Sequence, residues 1–152
     1  MFPDMTIPAP FAAQVAVVTG ASSGIGAEIA RELSRRGHEL VLVARSAEKL
    51  RALADELPTT AHVVPADLGA RDARAGLLAE LESRGLTPQV LVNNAGFSTL
   101  GPVHRSDPER ELALVELDVA AVADLCSRSP ARRRTARPRR SCSPTRAASP
   151  RS

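Results

Sequence analysis

A glycine-rich turn between an apolar strand and an amphipathic helix constrains the fold of this chain more than any other feature. The apolar run at residues 14–19 predicts a short buried strand. Ile25, Ile29 and Leu33 then recur four residues apart, which is typical of one face of a helix. The turn that joins them reads Thr19-Gly20-Ala21-Ser22-Ser23-Gly24-Ile25-Gly26. Its glycines allow a tight turn and close packing of the helix on the strand.

The alternation of apolar strand and helix continues to about residue 127. Three more apolar runs predict buried strands: Leu40–Val43, Ala61–Pro65 and Val90–Val92. Ser46 is predicted to cap the second helix, and Asp107-Pro108 to begin the last. One apolar face is predicted along this last helix, residues 107–127: Leu112, Val115, Val119, Val122 and Cys126. Continuous apolar strands alternating with helices indicate a parallel sheet covered on both faces. We therefore predict an α/β fold, a doubly wound Rossmann-type sheet over residues 13–127 that is truncated after the fourth strand and its following helix.

The charge of the chain is divided unevenly. Residues 1–127 carry 11 basic and 17 acidic side chains, whereas residues 128–152 carry nine arginines and no acid. This Arg/Pro/Ser-rich tail also has no Val, Ile, Leu, Phe or Met, so we expect it to be disordered. Two interpretations of the tail remain open: an arginine-rich arm that binds nucleic acid, or translation in a shifted reading frame. The lack of aromatic residues for base stacking favours the second.

Several classes of protein are not expected from the sequence. Residues 1–10 lack the features of a signal peptide, and no apolar run approaches the ~20 residues of a membrane helix. Cys126 and Cys142 have neither metal-binding spacing nor a disulfide framework, and we assign no metal site. We therefore expect a cytoplasmic protein, without a membrane or nucleic acid as its partner.

A second motif, Asn93-Asn94-Ala95-Gly96, follows the fourth predicted strand. A glycine turn that opens a helix is a site for a pyrophosphate, because free N–H groups point at the charge. The spacing T-G-x-x-x-G-x-G, together with N-N-A-G, resembles the short-chain dehydrogenase/reductase family over residues 13–127. The resemblance covers the N-terminal half of such an enzyme. It implies the strand order 3-2-1-4, hydride transfer between an alcohol and a carbonyl, a nicotinamide dinucleotide, and a homo-oligomer.

The resemblance also implies which residues would bind the dinucleotide. The glycine turn would line the phosphates and nearby ribose through Gly20, Ser22, Ser23, Gly24, Ile25 and Gly26. Asp67 and Leu68 would contact the adenine, although Asp67 could instead form a strand-end turn or a helix cap. Asn94, Ala95 and Gly96 would lie beside the adenosine ribose, with Asn93 also holding the central strands together.

Arg45 carries the prediction of coenzyme preference. NAD-binding folds hold the ribose 2′-hydroxyl with an acid near the end of the second strand, where this chain has Ala44. The following Arg45 can bind a 2′-phosphate, so NADP is favoured over NAD. The alternative is that Arg45 is only a solvated residue at the start of a helix.

The family's catalytic groups are a tyrosine, a lysine four residues later, a serine and an asparagine. The chain contains no tyrosine, and its only lysine, Lys49, lies in the wrong half of the sequence. Asp118 stands where the family has its asparagine, and it could alternatively be a paired structural acid. We assign no catalytic residue.

The sequence therefore predicts an NADP-dependent oxidoreductase by descent, in a truncated or frame-shifted and inactive form. The alternative is a non-catalytic protein that binds nucleotides or nucleic acid through its basic tail.

Overall fold

The computed structural model describes residue 7 and residues 14–129, and within this range strands alternate with helices. In chain order the elements are β1 (Gln14–Thr19), α1 (Gly24–Arg35), β2 (Glu39–Ala44), α2 (Ala47–Glu56), β3 (Ala61–Pro65), α3 (Arg71–Ser83), β4 (Thr87–Val92), a 3₁₀ turn (Val103–Arg105), α4 (Pro108–Val115), a π-helical segment (Glu116–Ala121) and α5 (Val122–Arg128). The domain bounds 13–127 stay a prediction. The tail is predicted to begin at residue 128, but Arg128 is the last residue of α5. The predicted disorder of residues 130–152 lies outside the described residues.

The four strands form one parallel sheet in the order β3-β2-β1-β4. This confirms the predicted α/β fold and the strand order 3-2-1-4. In the centre of the sheet, Val17 of β1 is paired with Val41 of β2 on one side and Leu91 of β4 on the other. Between β3 and β4 the chain crosses from one side of β1 to the other. The carboxyl ends of β1 and β4 therefore flank a topological switch point. Ligands bind at such points in open α/β sheets.

Helices cover both faces of the sheet because the strands are apolar on both faces. One buried cluster joins the sheet to α1 and α2, and includes Leu40, Leu42, Leu33 and Leu50. The other joins the opposite face to α3 and α5: Val15, Val17, Val41, Val43, Leu77, Leu81 and Leu125. The two layers therefore bury the valine and leucine runs that predicted the strands. No helix of the described residues is long and apolar enough to cross a membrane.

The two predicted helix caps are confirmed. Ser46 Oγ accepts a hydrogen bond from the backbone N–H of Lys49 at 3.4 Å, which is the N-cap geometry for α2. Asp107 Oδ1 accepts from the N–H of Glu109 at 3.1 Å, and Pro108 occupies the first position of α4. Each cap fixes the residue at which its helix begins.

The predicted apolar face of the last helix is not the face that packs on the sheet, because Leu112, Val115, Val119 and Cys126, four of its five residues, are exposed. Leu112, Val115 and Val119 are 61%, 50% and 59% exposed, whereas Ala121 and Leu125 are buried. The reason is that the same helical region carries a second apolar stripe. Leu117, Ala121 and Leu125 recur four residues apart through the π-helical segment and α5, and these residues pack in the buried cluster against the sheet.

Candidate functional site

Thr19, at the carboxyl end of β1, joins β1 to the end of β4 at the switch point. Its side chain is buried, and its Oγ1 accepts hydrogen bonds from the N–H groups of Asn94 and Ala95, both at 3.0 Å. The same hydroxyl donates to the carbonyl oxygen of Val92 at 3.2 Å. One threonine hydroxyl therefore holds the N-N-A-G segment against the start of the glycine turn.

The Asn94 side chain completes this connection from the other side. Its Nδ2 donates to the carbonyl oxygens of Thr19 at 3.1 Å and Gly20 at 3.3 Å. The family resemblance assigned the role of holding the central strands together to Asn93, and that prediction is wrong. The Asn93 amide donates instead to the Cys126 sulfur at 3.2 Å. Successive side chains at a strand end point in opposite directions, so only one of two adjacent asparagines reaches the glycine turn.

Two glycines of the turn lie where no larger residue fits. Gly20 has φ +67°, and a Cβ there would lie 2.8 Å from Asn94 Nδ2 and from the Ala95 Cα. A Cβ on Gly26 would lie 2.4 Å from the Gly20 carbonyl oxygen and 2.5 Å from Asn94 Nδ2. The start of α1 is therefore packed directly on the end of β1, and a ligand can approach the exposed backbone of the turn closely.

A cavity of about 630 Å³ opens at this edge of the sheet. Its volume lies within the range of roughly 300–1,000 Å³ that is usual for small-molecule sites. Nine of the twelve residues predicted to bind the dinucleotide line it: Gly20, Ser22, Ser23, Arg45, Asp67, Leu68, Asn94, Ala95 and Gly96. Four segments that are distant in sequence therefore meet around one cavity, each at the carboxyl end of a strand.

The other three predicted site residues do not line this cavity. Gly26 lies beneath the turn, against Gly20 and Asn94. Gly24 and Ile25 line a separate apolar groove with Ile29 and with Val90 and Val92 of β4, and Ile25 is 74% exposed. The structure does not bring Gly24, Ile25 and Gly26 into the cavity, and a direct contact of Ile25 with a dinucleotide stays a prediction.

The charged side chains around the cavity differ in their pairing. Arg45 is exposed, and no hydrogen bond or ion pair joins its side chain to another residue in the described part of the chain. Asp67 Oδ1 accepts a hydrogen bond from the N–H of Gly69 at 3.0 Å, so this carboxylate stabilises a turn as well as lining the cavity. The site thus offers one unpaired guanidinium and one carboxylate that is already partly engaged.

The buried Arg74 is a residue that the sequence patterns did not reveal. It is 4% exposed, and its guanidinium donates to the carbonyl oxygens of Leu68 at 2.8 Å and Gly69 at 3.2 Å. It also pairs with Glu116 and Asp124, each at 3.4 Å. Arg74 therefore ties the cavity wall at Leu68 to the helices that follow β4. The sequence does carry one indication that Arg74 is buried, because it lies at helical spacing from Leu77 and Leu81, two buried leucines of α3.

Asp118 lies in the π-helical segment, next to the N-N-A-G segment. Its Oδ1 accepts a hydrogen bond from the N–H of Phe97 at 3.3 Å, and a Cβ on Gly96 would lie 2.9 Å from the same oxygen. This contact supports the alternative of a paired structural acid. Within residue 7 and residues 14–129, no group of three or more His, Cys, Asp or Glu side chains could hold a metal ion.

Comparison with known proteins places this geometry in a family. The family model of the short chain dehydrogenases matches residues 14–130. An uncharacterized oxidoreductase of Staphylococcus epidermidis is 35% identical over 106 residues, which are 70% of this chain and 46% of that protein.

Solved structures are similar in fold and in sequence. A metagenomic short-chain oxidoreductase in complex with NADP superposes with a TM-score of 0.73 at 40% identity, covering 77% of this chain and 55% of that one. The L-sorbose reductase of Gluconobacter frateurii, complexed with NADPH and L-sorbose, gives a TM-score of 0.70 at 29% identity, covering 78% of this chain and 47% of that one. The chain thus spans about half the length of these relatives. It belongs to the short-chain dehydrogenase family.

Proposed function

We propose that the chain binds NADP in the cavity at the switch point of the sheet. The observation that carries the proposal is the packing of Gly20 and Gly26 against Asn94, which holds the glycine turn beside the N-N-A-G segment at the wall of the cavity. In this arrangement the N–H groups of the turn and of the start of α1 would face the pyrophosphate. Leu68 and Leu117 line the cavity with apolar surface suited to the adenine.

The preference for NADP over NAD rests on the end of β2. Ala44 supplies no carboxylate for a ribose 2′-hydroxyl, and Arg45 has no partner among the described residues, so its guanidinium is free to bind a 2′-phosphate. The solved structures of two relatives contain NADP and NADPH, which supports the same preference.

For the whole protein we propose an oxidoreductase that interconverts an alcohol and a carbonyl, because this is the chemistry of its family. The bound nicotinamide would supply or accept the hydride. These 152 residues contain no tyrosine to exchange the substrate proton, and Lys49 lies on α2, at the adenosine side of the site. A general acid typically contributes about 10²–10⁴-fold to a rate. We therefore propose that these residues alone bind the coenzyme without measurable turnover.

Nucleic-acid binding through residues 128–152 is a weaker candidate function. It is not favoured, because the family match over residues 14–130 covers most of the chain and accounts for the cavity at the switch point. The homo-oligomer and the cytoplasmic location stay predictions.

Calorimetric titration with NADPH tests the proposal. We expect saturable binding at one site per chain, and its loss in Gly20→Ala, whose Cβ would meet Ala95 and Asn94. Gly85→Ala is the matched control, because Gly85 has the same φ of +67° but no described atom within 4 Å of an added Cβ, and it lies outside the cavity. Absence of saturable binding by the folded wild-type chain, or equal loss in both variants, would contradict the proposal.

A further inference from the structure

Lys49, the only lysine of the chain, lies between the glycine turn and helix α2. It lines the 630 Å³ cavity, and it also lines an adjacent cavity of about 290 Å³ between the glycine turn and α2. Ser22 and Ser23 of the turn line both cavities as well. Lys49 is therefore placed between the segment proposed to hold the pyrophosphate and the segment that carries Arg45.

The position of Lys49 is electrostatically unfavourable for the helix alone. It occupies the first turn of α2, where the helix dipole is positive and acidic side chains are preferred. No ion pair offsets this charge within residues 14–129. A cation that is exposed, unpaired and set at a positive helix end is a favourable partner for an anion from outside the chain.

The acid that could have paired with Lys49 is already engaged. Glu56, at the end of α2, lines the smaller cavity together with Lys49. Its Oε2 accepts hydrogen bonds from Arg31 Nε at 3.3 Å and Nη2 at 2.8 Å. The same hydrogen bond to Glu56 is the main cause that raises the pKa of Arg31. Arg31, which also pairs with Glu28, therefore engages the Glu56 carboxylate, and no ion pair joins Glu56 to Lys49 among the described residues.

Arg45, Ser46 and Lys49 together form a polar group at the start of α2, all lining the larger cavity. Because Ser46 Oγ accepts the Lys49 N–H, its own hydroxyl hydrogen remains available to a ligand. The glycine turn contributes no side-chain charge, since its positions between Gly20 and Gly24 are Ala21, Ser22 and Ser23. The positive charge at this end of the cavity comes from Arg45 and Lys49.

We propose that Lys49 is a residue that determines coenzyme specificity, binding the 2′-phosphate of NADP together with Arg45. This inference rests on the proposed function and adds a second cation to it. Arg45 offers a planar fork of donors, whereas Lys49 offers a compact charge on a flexible stem. A phosphate monoester carries up to two negative charges near neutral pH, which two cations match better than one.

The test compares Lys49→Met with Arg51→Met in titrations with NADPH and NADH. Arg51 is the matched control, because it is an exposed cation on the same helix that lines neither cavity. We expect Lys49→Met to weaken NADPH binding about tenfold, as for loss of one charge-assisted hydrogen bond. NADH binding should stay unchanged, Lys49→Arg should retain NADPH binding, and Arg51→Met should leave both coenzymes unaffected.

The outcomes separate this inference from the proposed function. Suppose that the wild-type chain binds NADPH, and that Lys49→Met either weakens the binding of NADPH and NADH equally or weakens the binding of neither. Lys49 then has no role in specificity, so the inference is overturned while the proposed function stands. The same conclusion follows if Arg51→Met matches Lys49→Met. If the folded wild-type chain binds neither coenzyme, the proposed function and the inference both fail. Thermal unfolding by circular dichroism verifies that each variant is folded, and an exposed Lys49 predicts no loss of stability.

Discussion

Strands β2 and β4 have similar apolar sequences but different surroundings. β2 lies between β1 and β3, and all its residues after Glu39 are buried. β4 pairs with β1 on one side only among the described residues, and its residues after Pro88 are half-buried. Apolar content therefore predicts that a segment becomes a strand, whereas its burial depends on what lies beside it.

The same contrast separates the glycine turn from helix α4. Around the turn, Gly20 and Gly26 leave no room for one additional carbon atom. On α4 and the π-helical segment, Leu112, Val115 and Val119 remain largely exposed. We expect the closed region around β1, β2 and the turn to be sensitive to small changes, and the open region of β4 and α4 to tolerate larger ones.

The largest expected difference in stability comes from truncating one leucine in each region. Leu42→Ala empties a fully buried position of β2 and should lower the free energy of unfolding by about 2–5 kcal/mol. Leu112→Ala removes a side chain that is mostly exposed and should change it by less than about 0.5 kcal/mol. Urea unfolding followed by circular dichroism measures both. Similar losses in the two variants would remove the distinction between the regions.

A second pair of variants compares the effect on stability of one added methyl group in the glycine turn and on helix α3. Gly26→Ala forces a Cβ against the Gly20 carbonyl and should lower stability by about 1–3 kcal/mol, as overpacking does. Gly76→Ala, in helix α3 with no described atom within 4 Å of an added Cβ, should be neutral or stabilising by up to about 1 kcal/mol. The thermal midpoints of the two variants report the difference, and a stable Gly26→Ala would show that the turn is looser than its packing implies.

Removing the Thr19 hydroxyl should have a smaller effect on the free energy of unfolding within the closed region. Thr19→Val keeps the shape of the side chain but leaves the N–H groups of Asn94 and Ala95 without their acceptor, at a cost of about 1–2 kcal/mol. Thr99→Val is the control, because it loses a single hydrogen bond to the Glu111 side chain. Equal unfolding free energies for the two variants would mean that the Thr19 hydroxyl does not join β1 to β4.

Much of the fold and part of the site could be predicted because they depend on local patterns. Apolar runs and helix spacing predict the sheet, and the strand order followed from the family resemblance. The π-helical segment, the Arg74 contacts and the choice of Asn94 over Asn93 could not be predicted in this way. The Arg74 pairs with Glu116 and Asp124, for example, join segments at least 40 residues apart. A periodicity carries no information about such contacts.

The smallest expected effect concerns His38, which is buried in the closed region. Burial lowers the pKa of His38, with a smaller contribution from the charge of Arg36, and its Nδ1 has no hydrogen-bond partner among the described residues. The unfolded chain takes up this proton near its ordinary pKa of about 6.5, before the folded chain does. Stability should therefore decline as pH falls below this value towards the lowered pKa.

The variant His38→Gln isolates this contribution, because it cannot titrate. The difference in unfolding free energy between the wild type and His38→Gln, measured from about pH 7.5 to about pH 5 around the ordinary histidine pKa, should shift against the wild type on acidification. A constant difference across this range would show that His38 takes up its proton equally easily in both states.

The most direct test of the proposed coenzyme site is the set of amide NMR signals that respond to NADPH in the folded 152-residue chain. We expect saturable shifts to cluster at the four segments lining the cavity, with Ser22, Arg45, Asp67 and Asn94 among them. Shifts confined to β4 and α4, or no saturable shift at all, would contradict the account.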